Sequence, residues 1–103
     1  MKKVELPCFN VTLRIYKKGE EPLFESEQDV DVSEFRGYTA DNYVYSNGEV
    51  GVCYHEAVHF VDWLLGTHLN MDQGTLWGNT ELRAYLVEHV GNEVKSYCCK
   101  EAV

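Results

Sequence analysis

The stretch Val50-Gly51-Val52-Cys53-Tyr54-His55-Glu56-Ala57-Val58-His59-Phe60-Val61-Asp62-Trp63-Leu64-Leu65 organises the reading of the whole chain. Cys53, Ala57, Val61 and Leu64 recur at helical spacing, with Val58 and Leu65 beside them. The pattern predicts a helix over 50–65 with one apolar face. Gly66 is its expected stop. His55, His59 and Asp62 fall on a polar stripe, because residues four apart stand one above the other on a helix. His55-Glu56-Ala57-Val58-His59 matches H-E-x-x-H, in which two imidazoles on one helix face can hold one zinc ion. Glu56, beside them, is placed to act as general base towards a water that the ion activates. In a chain of this composition a chance match has a probability of roughly one per cent.

A catalytic zinc usually takes three protein ligands and keeps one position open. His55 and His59 leave one to find, among His68, Glu81, Asp62, His89 and Glu88. Glu81 is preferred. It follows His59 by 22 residues, enough chain to leave one helix, turn and bring a second alongside. His₂Glu is a known catalytic set. Glu88 and His89 lie about two turns beyond Glu81, some 11 Å along the axis. His68 reads as a surface loop histidine. Asp62 is a candidate to orient a ligand histidine, with a solvated carboxylate or a salt bridge, Arg83 being a possible partner, as the equal alternative. Tyr85, one turn from Glu81, is a candidate oxyanion donor. A core aromatic, or a hydroxyl steadying Glu81, is the plainer reading.

Outward from the motif, residues 81–98 read as a second long helix capped by Asn79-Thr80. Leu82, Tyr85, Leu86, His89, Val90 and Val94 give it an apolar face, and Gly91 weakens its middle. Residues 67–78 read as a loop. Towards the N-terminus, Phe9, Val11, Leu13 and Ile15 alternate with Asn10, Thr12, Arg14 and Tyr16. That period of two predicts one half-buried strand within 4–16. The acidic segment 20–31 contains Pro22 and few apolar anchors, and is expected to be a loop or short edge strand. Residues 33–36 suggest a brief helical turn with Ser33 as cap and Gly37 as stop. Residues 38–45 read as a second strand, ended by Asn47-Gly48 just before the motif helix.

The bulk numbers bound the function. The chain has 103 residues, 45% apolar and 13% aromatic, with a formal net charge of -8. One small domain over 1–103 is expected. The charge argues against nucleic acid, whose phosphates need Lys and Arg, and weakly favours basic partners. No apolar leader and no membrane-length stretch is visible, so a soluble intracellular protein with reduced thiols is expected, without a membrane partner. Cys8, Cys53, Cys98 and Cys99 contain no C-x-x-C pair, so a structural zinc knuckle is unsupported. Cys53 reads as a small buried apolar group. Nothing fixes the oligomeric state, although Trp63 or Trp77, if exposed, would mark an interface.

The residues Cys53-Tyr54-His55-Glu56-Ala57-Val58-His59-Phe60-Val61-Asp62, followed by Asn79-Thr80-Glu81-Leu82-Arg83-Ala84-Tyr85-Leu86-Val87, resemble the gluzincins. These are metallopeptidases with H-E-x-x-H on one helix and a Glu ligand on the next. The chain looks most like the very short, single-domain gluzincin-like proteins of phages and prophages. The resemblance covers about the C-terminal half. It implies one zinc per chain held by His55, His59 and Glu81, with Glu56 as general base. It implies an α+β fold, a small β-sheet packed on two long C-terminal helices in a minimal zincin-like (minigluzincin) architecture. It implies a peptide or protein substrate held along an edge strand, for which 38–45 is the expected segment. A cytoplasmic location in a bacterial host goes with the phage likeness. Larger members add a second, mostly helical domain that shapes substrate pockets. This chain has only a few residues after its second helix, and no familiar motif places an oxyanion donor. A binding module with the metal as a structural staple is therefore the competing expectation.

Overall fold

The computed structural model describes residues 1–72 and 80–99. Within them the fold is α+β. The elements are β1 (Lys2–Leu6), a 3₁₀ turn (Pro7–Phe9), β2 (Val11–Lys17), α1 (Glu21–Gln28), β3 (Gly37–Ala40) and β4 (Tyr43–Ser46). Then come α2 (Val50–Asp62), which runs on into a π-helical turn (Trp63–His68), and α3 (Thr80–Cys98). The strands make one mixed sheet in the order β1-β2-β4-β3. β1 pairs antiparallel with β2, β3 antiparallel with β4, and β2 parallel with β4.

Helices cover both faces of the sheet. On one face Leu13, Ile15 and Val44 pack with Cys53, Ala57, Phe60, Val61 and Leu64 of α2 and with Leu86, Val90 and Val94 of α3. On the other, Tyr16 and Tyr45 enclose Phe24 of α1 together with Val32. Tyr16 meets Phe24 edge-on, with ring centroids 5.1 Å apart. Tyr45 Oη donates to Glu21 Oε2 at 2.7 Å, which ties α1 to the sheet. Fully burying a side chain of this size stabilises by roughly 1.5–3 kcal/mol. None of the described helices is long and apolar enough to cross a membrane.

Several expectations are corrected. The single strand within 4–16 is a hairpin, broken at Pro7–Phe9 and turned by Asn10 in the left-handed region at φ 55°. The strand expected over 38–45 is likewise a hairpin, β3 and β4, with Asp41 at φ 52° in its turn. Strand β2 is buried on both faces, since Tyr16 serves the second core. The acidic segment forms α1, because Pro22 sits at the helix start, where a missing N–H costs nothing. Residues 33–36 form a turn rather than a helical one. Phe35 N bonds to Val32 O, and Asp31, not Ser33, supplies the side-chain acceptor. Gly66 does not stop the motif helix. The chain continues through a π turn closed by Leu69 N on Leu64 O, and leaves at Asn70 with φ 53°. Of the expected loop over 67–78, residues 67 and 68 belong to the π turn, and 73–78, Trp77 among them, lie outside the described residues, as does Asn79.

Helix α3 agrees with the expected 81–98 to within a residue. Its buried face is Leu86, Val90, Gly91, Val94 and Cys98. Leu82, Tyr85 and His89 stay outside it. Tyr85 is 76% exposed, so it is no core aromatic. Asn47-Gly48 ends β4 before α2, as expected, with Gly48 at φ 101°.

Candidate functional site

The apolar positions of α2 turn that helix so that its polar stripe faces the β3 side of the sheet. His55 and His59 are exposed there, one turn apart. Their Nε2 atoms are 3.2 Å apart and their rings are steeply inclined, at 81°. Two nitrogens bound to a tetrahedral zinc at about 2.05 Å lie about 3.3 Å from each other. The pair therefore has the spacing of two ligands of one ion. A single proton shared between neutral imidazoles fits the same distance.

Glu56 does something different. The residue is only 5% exposed. Thr39 of β3 donates its hydroxyl to Glu56 Oε1 at 2.7 Å, with the Glu56 carbonyl oxygen 3.3 Å from the same hydroxyl. The Gly37 backbone passes so close that an added Cβ would sit 2.7 Å from Glu56 Cγ and 2.8 Å from Oε2. Gly37 and Thr39, two apart on a strand, share one face and together hold the carboxylate. Two recesses, of about 540 and 470 Å³, meet at Gly37, His55 and Glu56. The first also takes in Phe35, Tyr38, Thr39, Asp41, His59 and Trp63. β3 runs along this cleft at the edge of the sheet.

The remaining site residues lie apart from this trio. Asp62 Oδ1 accepts from Arg83 Nη2 at 2.7 Å and from Nε at 2.9 Å, so the salt bridge is the contact it makes. His68 Nε2 lies 2.9 Å from the Phe9 carbonyl oxygen, and its ring stacks on Trp63. Trp63 is half-buried. Tyr85, Glu88, His89 and Asn92 line a separate shallow recess on α3. Glu81 is exposed in the first turn of α3. Among the described residues no three His, Cys, Asp or Glu side chains come together closely enough to hold a metal ion. The donor set thus fits zinc in its two histidines, and a third ligand is not gathered with them.

No protein-family model, curated protein or solved structure matches the chain. The site is read from its own geometry. Thr39, Gly37 and Phe35 are the contributors that the sequence reading missed. For Gly37 and Thr39 the usable signal is their alternation on a strand next to the motif helix; Phe35 precedes that strand, in the turn before it.

Proposed function

We propose that this protein is a small zinc-dependent metallopeptidase of minimal zincin-like, gluzincin type. The observation that carries the reading is the His55–His59 pair, set at the separation of two zinc ligands beside a carboxylate positioned by its own hydrogen bond. His55 and His59 would hold the ion, with Glu81 as third ligand once the start of α3 turns towards them. Bound zinc would supply Lewis acidity that brings the pKa of a water close to neutral. Glu56 would take the proton of the attacking water and pass it to the leaving amine. The open edge of β3, Gly37–Ala40, would hold an extended peptide by strand-like backbone hydrogen bonds across the cleft. A phage or prophage setting in a bacterial cytoplasm belongs to the same proposal.

A second reading rests on one observation. Glu56 is buried and already satisfied by Thr39, the state of a structural carboxylate. In that reading the protein binds a partner and any metal acts as a staple. One experiment separates them: hydrolysis of a mixed peptide library by zinc-loaded wild type and by Glu56→Gln. The peptidase reading expects Glu56→Gln to keep its zinc and lose at least about a hundredfold in rate. Equal inertness of both proteins with zinc bound overturns it for those peptides and favours the staple.

A further inference from the structure

Three of the four thiols meet where α2 begins and α3 ends. Cys53 lies in the first turns of α2, Cys98 closes α3, and Cys99 follows it. Cys53 Sγ is 3.9 Å from Cys99 Sγ and 3.3 Å from Ser46 Oγ. Cys99 Sγ donates to the Gly48 carbonyl at 2.6 Å, and Cys98 Sγ to the Tyr16 carbonyl at 3.5 Å. The Gly48 turn is pressed against the end of α3, since a Cβ there would lie 2.9 Å from the Cys98 carbonyl oxygen. Backbone from β2, from the β4–α2 turn and from α3 therefore holds the thiols together.

The three differ in their surroundings. Hydrogen bonding to Cys53 and burial push the pKa of the Cys98 thiol up, which keeps it protonated and unreactive. Cys99 is only partly buried. A groove of about 680 Å³ is lined by Lys17, Lys18, Asn47, Gly48, Glu49, Tyr97 and Cys98, and Cys99 meets its wall through the bond to the Gly48 carbonyl. Two ammonium groups against one carboxylate make this groove locally cationic on a chain of net charge -8. A small anionic molecule can approach there despite the acidic whole.

From this arrangement we infer that Cys53 and Cys99 are an oxidisable dithiol, which reacts with an anionic low-molecular-weight disulfide of the glutathione class and closes into an intramolecular disulfide. The Cys99 thiolate attacks one sulfur of the external disulfide. A mixed disulfide forms, and the first small thiolate leaves and takes a proton from solvent. Cys53 then attacks the Cys99 sulfur and displaces the second small thiol, which carries away the remaining proton. Two protein thiols are oxidised and one external disulfide is reduced to two thiols. The new bond spans 46 residues of sequence. That loop contains His55, Glu56, His59 and Glu81, so oxidation fixes the two helices of the candidate site against each other. The inference stands whether or not the site binds zinc.

The test treats the reduced, folded full-length chain with oxidised glutathione near neutral pH, followed by alkylation and peptide mapping by mass spectrometry. The expected product is a Cys53–Cys99 bridge, with an intact mass lower by about 2 Da. It should raise Tm on the order of 10 °C. Cys98→Ser should keep both effects and Cys99→Ser should abolish both. A bridge to Cys98, a lasting glutathione adduct on Cys99 or Cys8 without a bridge, or no reaction at Cys53 overturns the inference. Mapping of the wild type alone decides the matter if a variant fails to fold.

Discussion

The two ends of the α2–α3 pair are built differently. The helices run antiparallel, as the Tyr54–Asn92 and Asp62–Arg83 contacts show. Where α2 starts and α3 ends, Gly91 lets the Tyr54 ring lie against the α3 backbone, Tyr54 Oη bonds to Asn92, and three thiols cluster under Gly48. Tyr97 adds a bond from its hydroxyl to Glu20 Oε2 at 2.7 Å and takes the Lys17 ammonium over its ring. Where α2 ends and α3 starts, the polar contact between the helices among the described residues is the Arg83–Asp62 ion pair, with side chains 41% and 52% exposed. Leu82 and Tyr85 face outward there. Close packing secures one end, while Glu81, the proposed third ligand, sits at the other. The contrast separates what holds the fold from what the proposed chemistry still has to bring together.

The largest expected effect on this contrast comes from the packed end. In Gly91→Val a Cβ would meet Tyr54 Cδ1 at 2.1 Å, so the ring must swing out and the helices part. A loss of about 2–3 kcal/mol is expected in denaturant unfolding. A change under about 0.5 kcal/mol would mean that this end is no closer-packed than the other. Next comes Glu81→Ala at the open end. Stability of the metal-free protein should hardly move, while zinc affinity measured by competition with a chelator should fall at least about tenfold, or about 1.4 kcal/mol. Unchanged affinity would remove Glu81 from the proposed site.

Short-range and long-range features of the chain divide in the same way. Both long helices were legible, because Ala57, Val61, Leu86, Val90 and Val94 repeat at the period of a buried helix face. The H-E-x-x-H trio was legible because four residues make one turn whatever the surrounding fold. α1 was hidden, because its packing depends on one buried side chain, Phe24, inside an acidic run. The two hairpins were hidden by left-handed turns at Asn10 and Asp41, residues that tolerate positive φ without the glycine that would have advertised it. The parallel pairing of β2 with β4 joins Arg14 to Tyr43 across α1, and no local pattern carries such a long-range choice. Thr39 as the partner of Glu56 depends on that same assembly.

A smaller effect sharpens the comparison through pH. Burial raises the pKa of Glu20, but hydrogen bonds from the N-terminal ammonium, Tyr97 and the Lys17 amide outweigh it and hold it below the usual value of 4.5. Its contribution is therefore present above that value and fades as pH falls through the lower folded pKa. Burial and the bond to Glu20 push Tyr97 up to about 12 from 10.0. That contribution is complete below pH 10 and is lost as pH rises towards 12. Tyr97→Phe should cost about 1 kcal/mol at neutral pH and flatten both limbs of the stability profile. A profile identical to wild type would show that the Glu20 bond does not support the packed end. The smallest effect belongs to Arg83→Ala, a few tenths of a kcal/mol for an exposed pair. A loss above about 1 kcal/mol would show the open end to be held more firmly than its contacts suggest.

Metal binding tests the central claim most directly. Purified protein is stripped with chelator and titrated with Zn²⁺, and the bound metal is counted per chain for wild type and for His59→Ala. The proposed site predicts one tightly held zinc in the wild type and none in the variant, with both proteins folded by circular dichroism. A wild type that binds no zinc, or a variant that binds it equally well, would contradict the account.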